Sequence, residues 1–245
     1  MTRSLVLEGS AAAASCALLE EEKVLGESFV NIRQTHSQTL LPMAEGLLGS
    51  CGLTPKDLDF LAVTRGPGSF TGLRIAMAAV KGMAFAAGKP CVGVSTLEAL
   101  ARSLAGFEGS AAAVMDARCG QVYAGLFSLA DGRVERTAGG EDAAISIEEL
   151  GERLGALKKP VFLVGDGAEL CYNRLSESLS PEDAPRDWLR VAPPHLRYQR
   201  AAAAGAAALD AWQRGEAVSA AELVPAYLRL PQAVRELQRK NLPQE

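Results

Sequence analysis

Residues 60–88 constrain this chain more than any other stretch. An apolar run, FLAVT at 60–64, leads into the glycine- and proline-rich turn GPGSFTG at 66–72, and then into an apolar stretch that ends at Gly88. A short apolar run, a glycine turn and a long helix-forming stretch are what a strand feeding a crossover helix looks like. The next run, PCVGV at 90–94, supplies the parallel strand on which such a crossover returns. The chain is therefore expected to be α/β, with a mostly parallel sheet covered on its faces.

The crossover helix is unusual in having almost no polar face. From 73 to 87 it is built of Ala, Met, Val, Ile, Leu, Phe and Gly, and its only charges are Arg74 and Lys81. A helix apolar all round is either interior or covered on its second face by another chain. Ala76, Ala78, Ala79 and Gly82 would let a second helix approach closely. The preceding helix, expected over 36–50, carries two apolar edges, Leu40/Met43/Leu47 and Leu41/Ala44/Leu48. Two neighbouring helices with surplus apolar surface suggest a helical dimer interface, with interior burial as the alternative. On the interface reading, Met77→Glu should abolish pairing and leave the fold intact.

The turn itself has two readings. A glycine-rich loop between a strand and a helix exposes free N–H groups at the positive end of the helix, so Gly66, Gly68, Ser69, Thr71 and Arg74 are candidates for an anion or nucleotide loop. The same residues also make a rigid tight turn with a Ser or Thr cap. The phosphate-binding GxxxxGK[ST] pattern is not met, since Leu73 follows Gly72, and the dinucleotide pattern GxGxxG fails at Thr71.

Around this centre, runs at 5–8, 15–19 and 24–30 read as three successive strands, followed by the helix at 36–50 with Pro42 near its start. A helix is expected at 96–104, with Ser95 and Glu98 forming a capping box. Beyond 106–110 a second strand group is expected at 111–115, 121–129 and 133–137, with Ala130-Asp131-Gly132 as a tight turn. A helix at 147–157, a strand at 161–164 and a strand-to-helix turn at Gly165-Asp166-Gly167 follow. A β-β-β-α-β-α unit and a shortened echo of it suggest a duplicated architecture: a lobe at 1–105, a second at 106–194, and a C-terminal helix and tail at 195–245 that can pack back on the first. Residues 176–194 read as a connecting loop, 198–212 as a helix and 234–240 as an amphipathic stretch.

Composition excludes several functions. The net charge is −4, with no basic stripe, so direct binding of a nucleic-acid backbone is not expected. Five cysteines, odd in number and without a CxxC pair, read as reduced thiols of a cytoplasmic protein. His36 and His195 alone do not make a metal site. No signal sequence and no membrane-spanning stretch are expected. Adjacent helix residues point about 100° apart, so His36-Ser37 is not a catalytic pair. Asp116-Ala117-Arg118 is either an ion-paired turn or part of an interlobe cleft, and Gly165-Asp166-Gly167 a tight turn or a nucleotide turn.

In order and spacing, HSQTLLPMAEGLL at 36–48, AVTRGPGSFTGLRIAMAAVKGMA at 62–84, VSTLEALA at 94–101, MDARCGQVYAGLF at 115–127 and PAYLRLPQA at 225–233 resemble the TsaB family, the dimerisation subunits of bacterial tRNA threonylcarbamoyladenosine synthesis. The resemblance implies an actin-like, two-lobed fold and a non-catalytic role in threonylcarbamoyl transfer to adenosine 37 of tRNAs reading codons that start with A. It implies a catalytic transferase paralogue and a small P-loop ATPase as partners, a homodimer when alone, contact with tRNA only indirectly, and no metal. No nucleotide is expected to be tightly bound, although ATP or ADP at a subunit junction is compatible with it. The matching interface positions are Leu40, Met43, Leu47, Ile75, Met77, Ala78 and Lys81. The transferases carry two metal-binding histidines four residues apart, and here Leu40 stands four residues after His36. One departure is Glu8-Gly9-Ser10, where most members have an Asp-Thr-Ser-like turn. An autonomous kinase or peptidase of the same fold, and a homodimeric scaffold without a heterologous partner, are the alternatives.

Overall fold

A computed structural model describes residues 1–32, 34–178 and 188–229. Strands β1 (Arg3–Glu8), β2 (Ala14–Glu20) and β3 (Lys23–Val30) form an antiparallel meander. Helix α1 (His36–Ser50) leads to β4 (Phe60–Gly66), helix α2 (Phe70–Ala87) and β5 (Cys91–Ser95), and β4 lies parallel to both β1 and β5. The sheet order is β3-β2-β1-β4-β5. It is a mixed sheet: only the β1, β4 and β5 pairings, joined by crossover helices, are parallel. Strand β4 is a nearly unbroken apolar run because helices cover it on both sides.

Helix α3 (Thr96–Arg102) leads into the second lobe, which repeats the plan. Strands β6 (Gly109–Arg118), β7 (Gln121–Ala130) and β8 (Arg133–Arg136) form its meander, with β9 (Ala143–Ser146) added to β7. Helices α4 (Ile147–Leu154) and α5 (Ala168–Ser178) flank β10 (Val161–Val164), and β11 (Leu189–Val191) closes the sheet in the order β11-β10-β6-β7-β8. Read from the other edge, this is the order of the first lobe. The second unit is thus complete and not shortened. Strand β11 lies in the stretch expected to be loop, and three residues are too few to show a periodicity. The amphipathic stretch expected at 234–240 lies outside the described residues.

The last helix of each unit packs on the other unit's sheet. Leu97, Leu100, Ala101 and Leu104 sit against Ala111, Ala113, Met115, Phe127 and Val164 of the second sheet. Conversely, α6 (Ala201–Gln213) lays Ala201, Ala204, Ala207, Ala208 and Ala211 on Val6, Ala17, Phe60, Ala62 and Val92 of the first. An alanine face lets the helix lie close to the pleat, and Gly205 comes closer still, since a Cβ there would meet Leu19 Cδ1 at 2.6 Å. The start of α6 is fixed by Glu27 of β3, whose carboxylate accepts from the Ala202 amide at 3.0 Å and from Arg200 Nη2 at 2.7 Å. Ser15 Oγ accepts from the Ala201 amide at 3.0 Å. These acceptors satisfy N–H groups that the first turn of a helix leaves free.

Helices α1 and α2 share the opposite face of the first sheet. The buried stripe of α1 is Leu40, Ala44 and Leu48, one residue in every four, and that of α2 is Leu73, Ala76, Met77, Val80 and Ala84. Pro42 lies inside α1 and not at its start, at an exposed position where the carbonyl it frees faces water. By length and composition α2 could cross a membrane, contrary to expectation. As the crossover between two paired parallel strands, with six residues in the core, it is instead a core helix. Ser95 caps α3 through the Leu97 and Glu98 amides, but the capping box is incomplete, because the Glu98 carboxylate turns to Arg102 at 2.9 Å.

Candidate functional site: an outward helix face and an interlobe cleft

The outer side of the α1/α2 pair carries apolar side chains, with Glu45 on α1 and Arg74 on α2 as exposed charges. Leu41, Ala78 and Phe85 are exposed, Phe85 by 85%, while Met43, Leu47, Ile75 and Met83 are half-buried beside them. At Gly46, Gly49 and Gly82 the space a Cβ would enter is open, so the ridge is low enough for another helix to approach. Two of the expected interface positions do not belong to this face. Leu40 is fully buried and Met77 only 5% exposed, both in the core of their own lobe. A helix that is apolar all round does not disclose from its sequence which side turns inward. Lys81 is also committed: its Nζ donates to the carbonyls of Leu223, at 3.0 Å, and Ala221, at 3.4 Å.

The second feature is a cleft of about 470 Å³ between the lobes, lined by Ser10, Pro67–Phe70, Asp116–Arg118, Tyr123, Asp166 and Ala226–Arg229. The GPGSFTG loop forms one wall, and its glycines serve close packing. A Cβ at Gly68 would lie 2.4 Å from the Ser10 carbonyl oxygen, and one at Gly72 would lie 2.1 Å from that of Gly9. The loop is pinned to the β1–β2 turn by the Ser69 amide, which donates to Ser10 O at 2.6 Å. Ser69 Oγ caps α2 by accepting from the Gly72 amide at 3.3 Å. Arg74 lies 3.8 Å from the centroid of the Phe70 ring and donates to Tyr227 Oη at 3.0 Å. Thr71 is exposed. Of the five candidate anion-loop residues, Ser69 and Arg74 are therefore occupied within the chain and Gly66 and Gly68 serve the backbone path. The Phe70 and Thr71 amides at the helix start have no partner among the described residues.

Asp116 and Asp166 make the cleft floor acidic. Glu8 lies behind the lining and is fully buried; its Oε1 accepts from the Ser10 amide at 2.5 Å, and its Oε2 has no hydrogen-bond partner. Burial pushes this carboxyl above its ordinary range, with Asp166 adding to the rise and the polar groups of Ser10 and Thr64 opposing it. Asp166 opens onto the cleft, whose enclosing walls raise it to about 6, with Asp116 contributing and Gln199 and Arg118 opposing. Asp116 accepts from the Arg118 amide at 2.8 Å, and its carboxylate lies 3.8 Å from the mostly exposed Arg118 guanidinium. Asp116 and Arg118 lie at the end of β6 and not in a turn, and make a loose ion pair that also faces the cleft. Gly9 of the unusual Glu8-Gly9-Ser10 turn is fixed by packing: a Cβ there would meet His36 Cδ2 at 2.7 Å. Among the described residues no three His, Cys, Asp or Glu side chains are placed to hold a metal ion.

Compared with known proteins, the chain is 32% identical over 218 residues to the tRNA threonylcarbamoyladenosine biosynthesis protein TsaB of Bacillus subtilis, across 89% of this chain and 90% of that one. The chain belongs to the TsaB family. It is also 33% identical over 170 residues to TsaB of Escherichia coli, across 67% of this chain and 71% of that protein. A family model described as TsaD, tRNA N6-adenosine threonylcarbamoyltransferase, matches residues 23–233. Among solved structures, YeaZ from Pseudomonas aeruginosa superimposes with a TM-score of 0.75 at 32% identity, over 93% of this chain and all of that one. The fold is α/β and two-lobed, as in YeaZ, and the chain takes part in tRNA threonylcarbamoyladenosine biosynthesis.

Sequence reasoning missed Tyr227 and Arg229 as cleft residues. Tyr227 reaches Arg74 across 153 positions of sequence, and nothing local marks such a contact. The one local signal is the PAYLRLPQA run at 225–233, which carries the family resemblance and does not by itself place Tyr227 at the cleft.

Proposed function

We propose that this TsaB-family chain is a non-catalytic partner subunit that docks the threonylcarbamoyl-transferase paralogue on the outer faces of α1 and α2. The apolar ridge of Leu41, Ala78 and Phe85, left exposed by helices whose other faces already fill the core, carries this reading. Met43, Leu47 and Ile75 flank the ridge and belong to the same contact, whereas Leu40 and Met77 support it from beneath. A phenylalanine 85% exposed in the last turn of a helix leaves apolar area in water that a partner would remove.

The cleft supports the non-catalytic part of the reading. Phosphate groups entering it would meet Asp116 and Asp166; of the cations, Arg74 is held by Phe70 and Tyr227, Arg229 by the Ala117 and Arg118 carbonyls, and Arg118 lies beside Asp116. On this reading nucleotide is not tightly bound by the chain alone. The small P-loop ATPase joins the transferase pair in the cytoplasm, tRNA is reached through the partners, and in their absence the same ridge forms a homodimer.

Mixing the purified chain with the transferase subunit tests the proposal. A one-to-one complex by size-exclusion chromatography with light scattering, together with tRNA modification that depends on both chains, is the expected result. A chain that stays apart from the transferase, or one that modifies tRNA or turns over ATP unaided, would overturn it.

A further inference from the structure

After α6 the chain doubles back, and residues 216–229 run along the first lobe to the mouth of the cleft. The first part of this run is firmly fixed. Val218 pairs with Cys91 through two main-chain bonds of 2.8 and 2.9 Å, which covers the edge of β5. Leu223 is 3% exposed and sits in the core beside Gly93. Lys81 holds the carbonyls of residues 221 and 223.

From Val224 onward the attachment changes character. Val224 is 59% exposed, and Pro225 after it has no N–H to donate. The next main-chain bond is a single one, from the Ala226 amide to Arg65 O at 2.7 Å. Gly66 makes room for it, since a Cβ at 66 would lie 2.3 Å from the Ala226 oxygen. The Tyr227 ring then stacks on Phe70, with centroids 4.7 Å apart, and Arg74 lies over the Phe70 ring. Finally, Arg229 Nη1 donates to the main-chain oxygens of Ala117 and Arg118, at the end of β6 in the other lobe. Residues 226–229 thus bridge the lobes and line the cleft of about 470 Å³.

This is a hold made at two points. Tyr227 and Leu228 are each 37% exposed, so the segment is held by partly buried apolar area as well as by these polar contacts. An aromatic stack, a cation–π contact or a hydrogen bond each shifts an equilibrium by roughly two- to tenfold, so the closed form dominates and removing one latch raises the open population by a factor of that order or somewhat more. Beneath it the cleft is lined by Asp116, Asp166 and Ser10, whose Oγ is buried without a hydrogen-bond partner.

We propose that residues 225–229 form a strap that latches the two lobes across the mouth of the cleft, with Tyr227 as its latch on the first lobe and Arg229 on the second, and that it swings about Val224–Pro225 to open the cleft. The exchange of α3 and α6 joins the lobes through their cores; the strap sets access to the acidic floor. Since every contact lies within one chain, the proposal stands apart from any docking partner.

Amide hydrogen exchange on the full chain tests it, with the Ala226 N–H as reporter. Tyr227→Ala and Arg229→Ala should each speed exchange at Ala226 by roughly five- to fiftyfold and leave Val218 and Cys91 unchanged. Tyr227→Phe keeps the stack and loses only the Arg74 hydrogen bond, so it should speed Ala226 less than Tyr227→Ala does. A spin-label pair at Ala12→Cys and the native Cys119, with Cys51 replaced by Ser, should shift to longer distances when either latch is removed. Unchanged exchange at Ala226, equal acceleration at Val218, or an unchanged distance distribution would each overturn the strap.

Discussion

Met77 and Ala78 are adjacent in α2, yet the same substitution should act on different properties at each. Met77 is 5% exposed and packs against the first sheet, so Met77→Glu places an unpaired carboxylate in an apolar core. An uncompensated buried charge costs about 3–5 kcal/mol, a large part of the roughly 5–15 kcal/mol that holds a domain folded. The variant should therefore lose stability first and binding only as a consequence. Ala78 faces outward, with Arg74 one turn before it and Lys81 three residues after. Ala78→Glu loses a few tenths of a kcal/mol in helix propensity at an exposed site, so folding should change by less than about 0.5 kcal/mol. In a complex that buries the ridge, however, the new carboxylate is the unpaired charge, and the same 3–5 kcal/mol corresponds to a loss of roughly a hundred- to a thousandfold or more in affinity for the transferase. Urea unfolding of each variant alone, followed by calorimetric titration with the transferase, separates the two effects. Parental affinity in Ala78→Glu would remove α2 from the interface, and parental stability in Met77→Glu would refute its place in the core.

Two further substitutions probe the cleft and the helix exchange. The Glu8 carboxyl is raised in the folded chain, so below its ordinary value of 4.5 both states hold the proton and no penalty exists; stability falls as pH climbs from there towards the folded value, and the penalty is complete above it. Glu8→Gln, which keeps an acceptor for the Ser10 amide, should be more stable than the parent at pH 7.5 and by a smaller margin at pH 5; a pH-independent difference in urea unfolding would show that Glu8 does not titrate this way. Glu27→Ala removes the acceptor for the Ala202 amide and the partner of Arg200, and should cost about 2–3 kcal/mol in thermal unfolding. A change under about 0.5 kcal/mol would mean that the alanine face alone positions α6.

Much of the fold was legible in the sequence because the relevant forces are local. The strand and helix of residues 60–88, the tight turn at Asp131-Gly132 and the Ser95 cap each follow from periodicity, glycine placement or side-chain hydrogen bonding within a few residues. The family was legible too, since spaced motifs survive in the chain order. The three-residue β11 was not, because a strand that short is defined by its neighbour β10. The rotation of α1 was also hidden: its two apolar edges looked equivalent, and packing against the sheet chose Leu40, Ala44 and Leu48 from between them.

By itself, then, the sequence determined that there are two α/β units, a rigid glycine loop and an excess of apolar helix surface. The tertiary structure decided which side of that surface is free. It also decided that the loop packs on the β1–β2 turn and that Tyr227 and Arg229 close the cleft from the far end of the chain. The physical reason is range. Backbone propensity and capping act over a few residues, whereas burial and lobe closure depend on atoms that approach only once the chain has folded, as Arg74 and Tyr227 do across 153 positions.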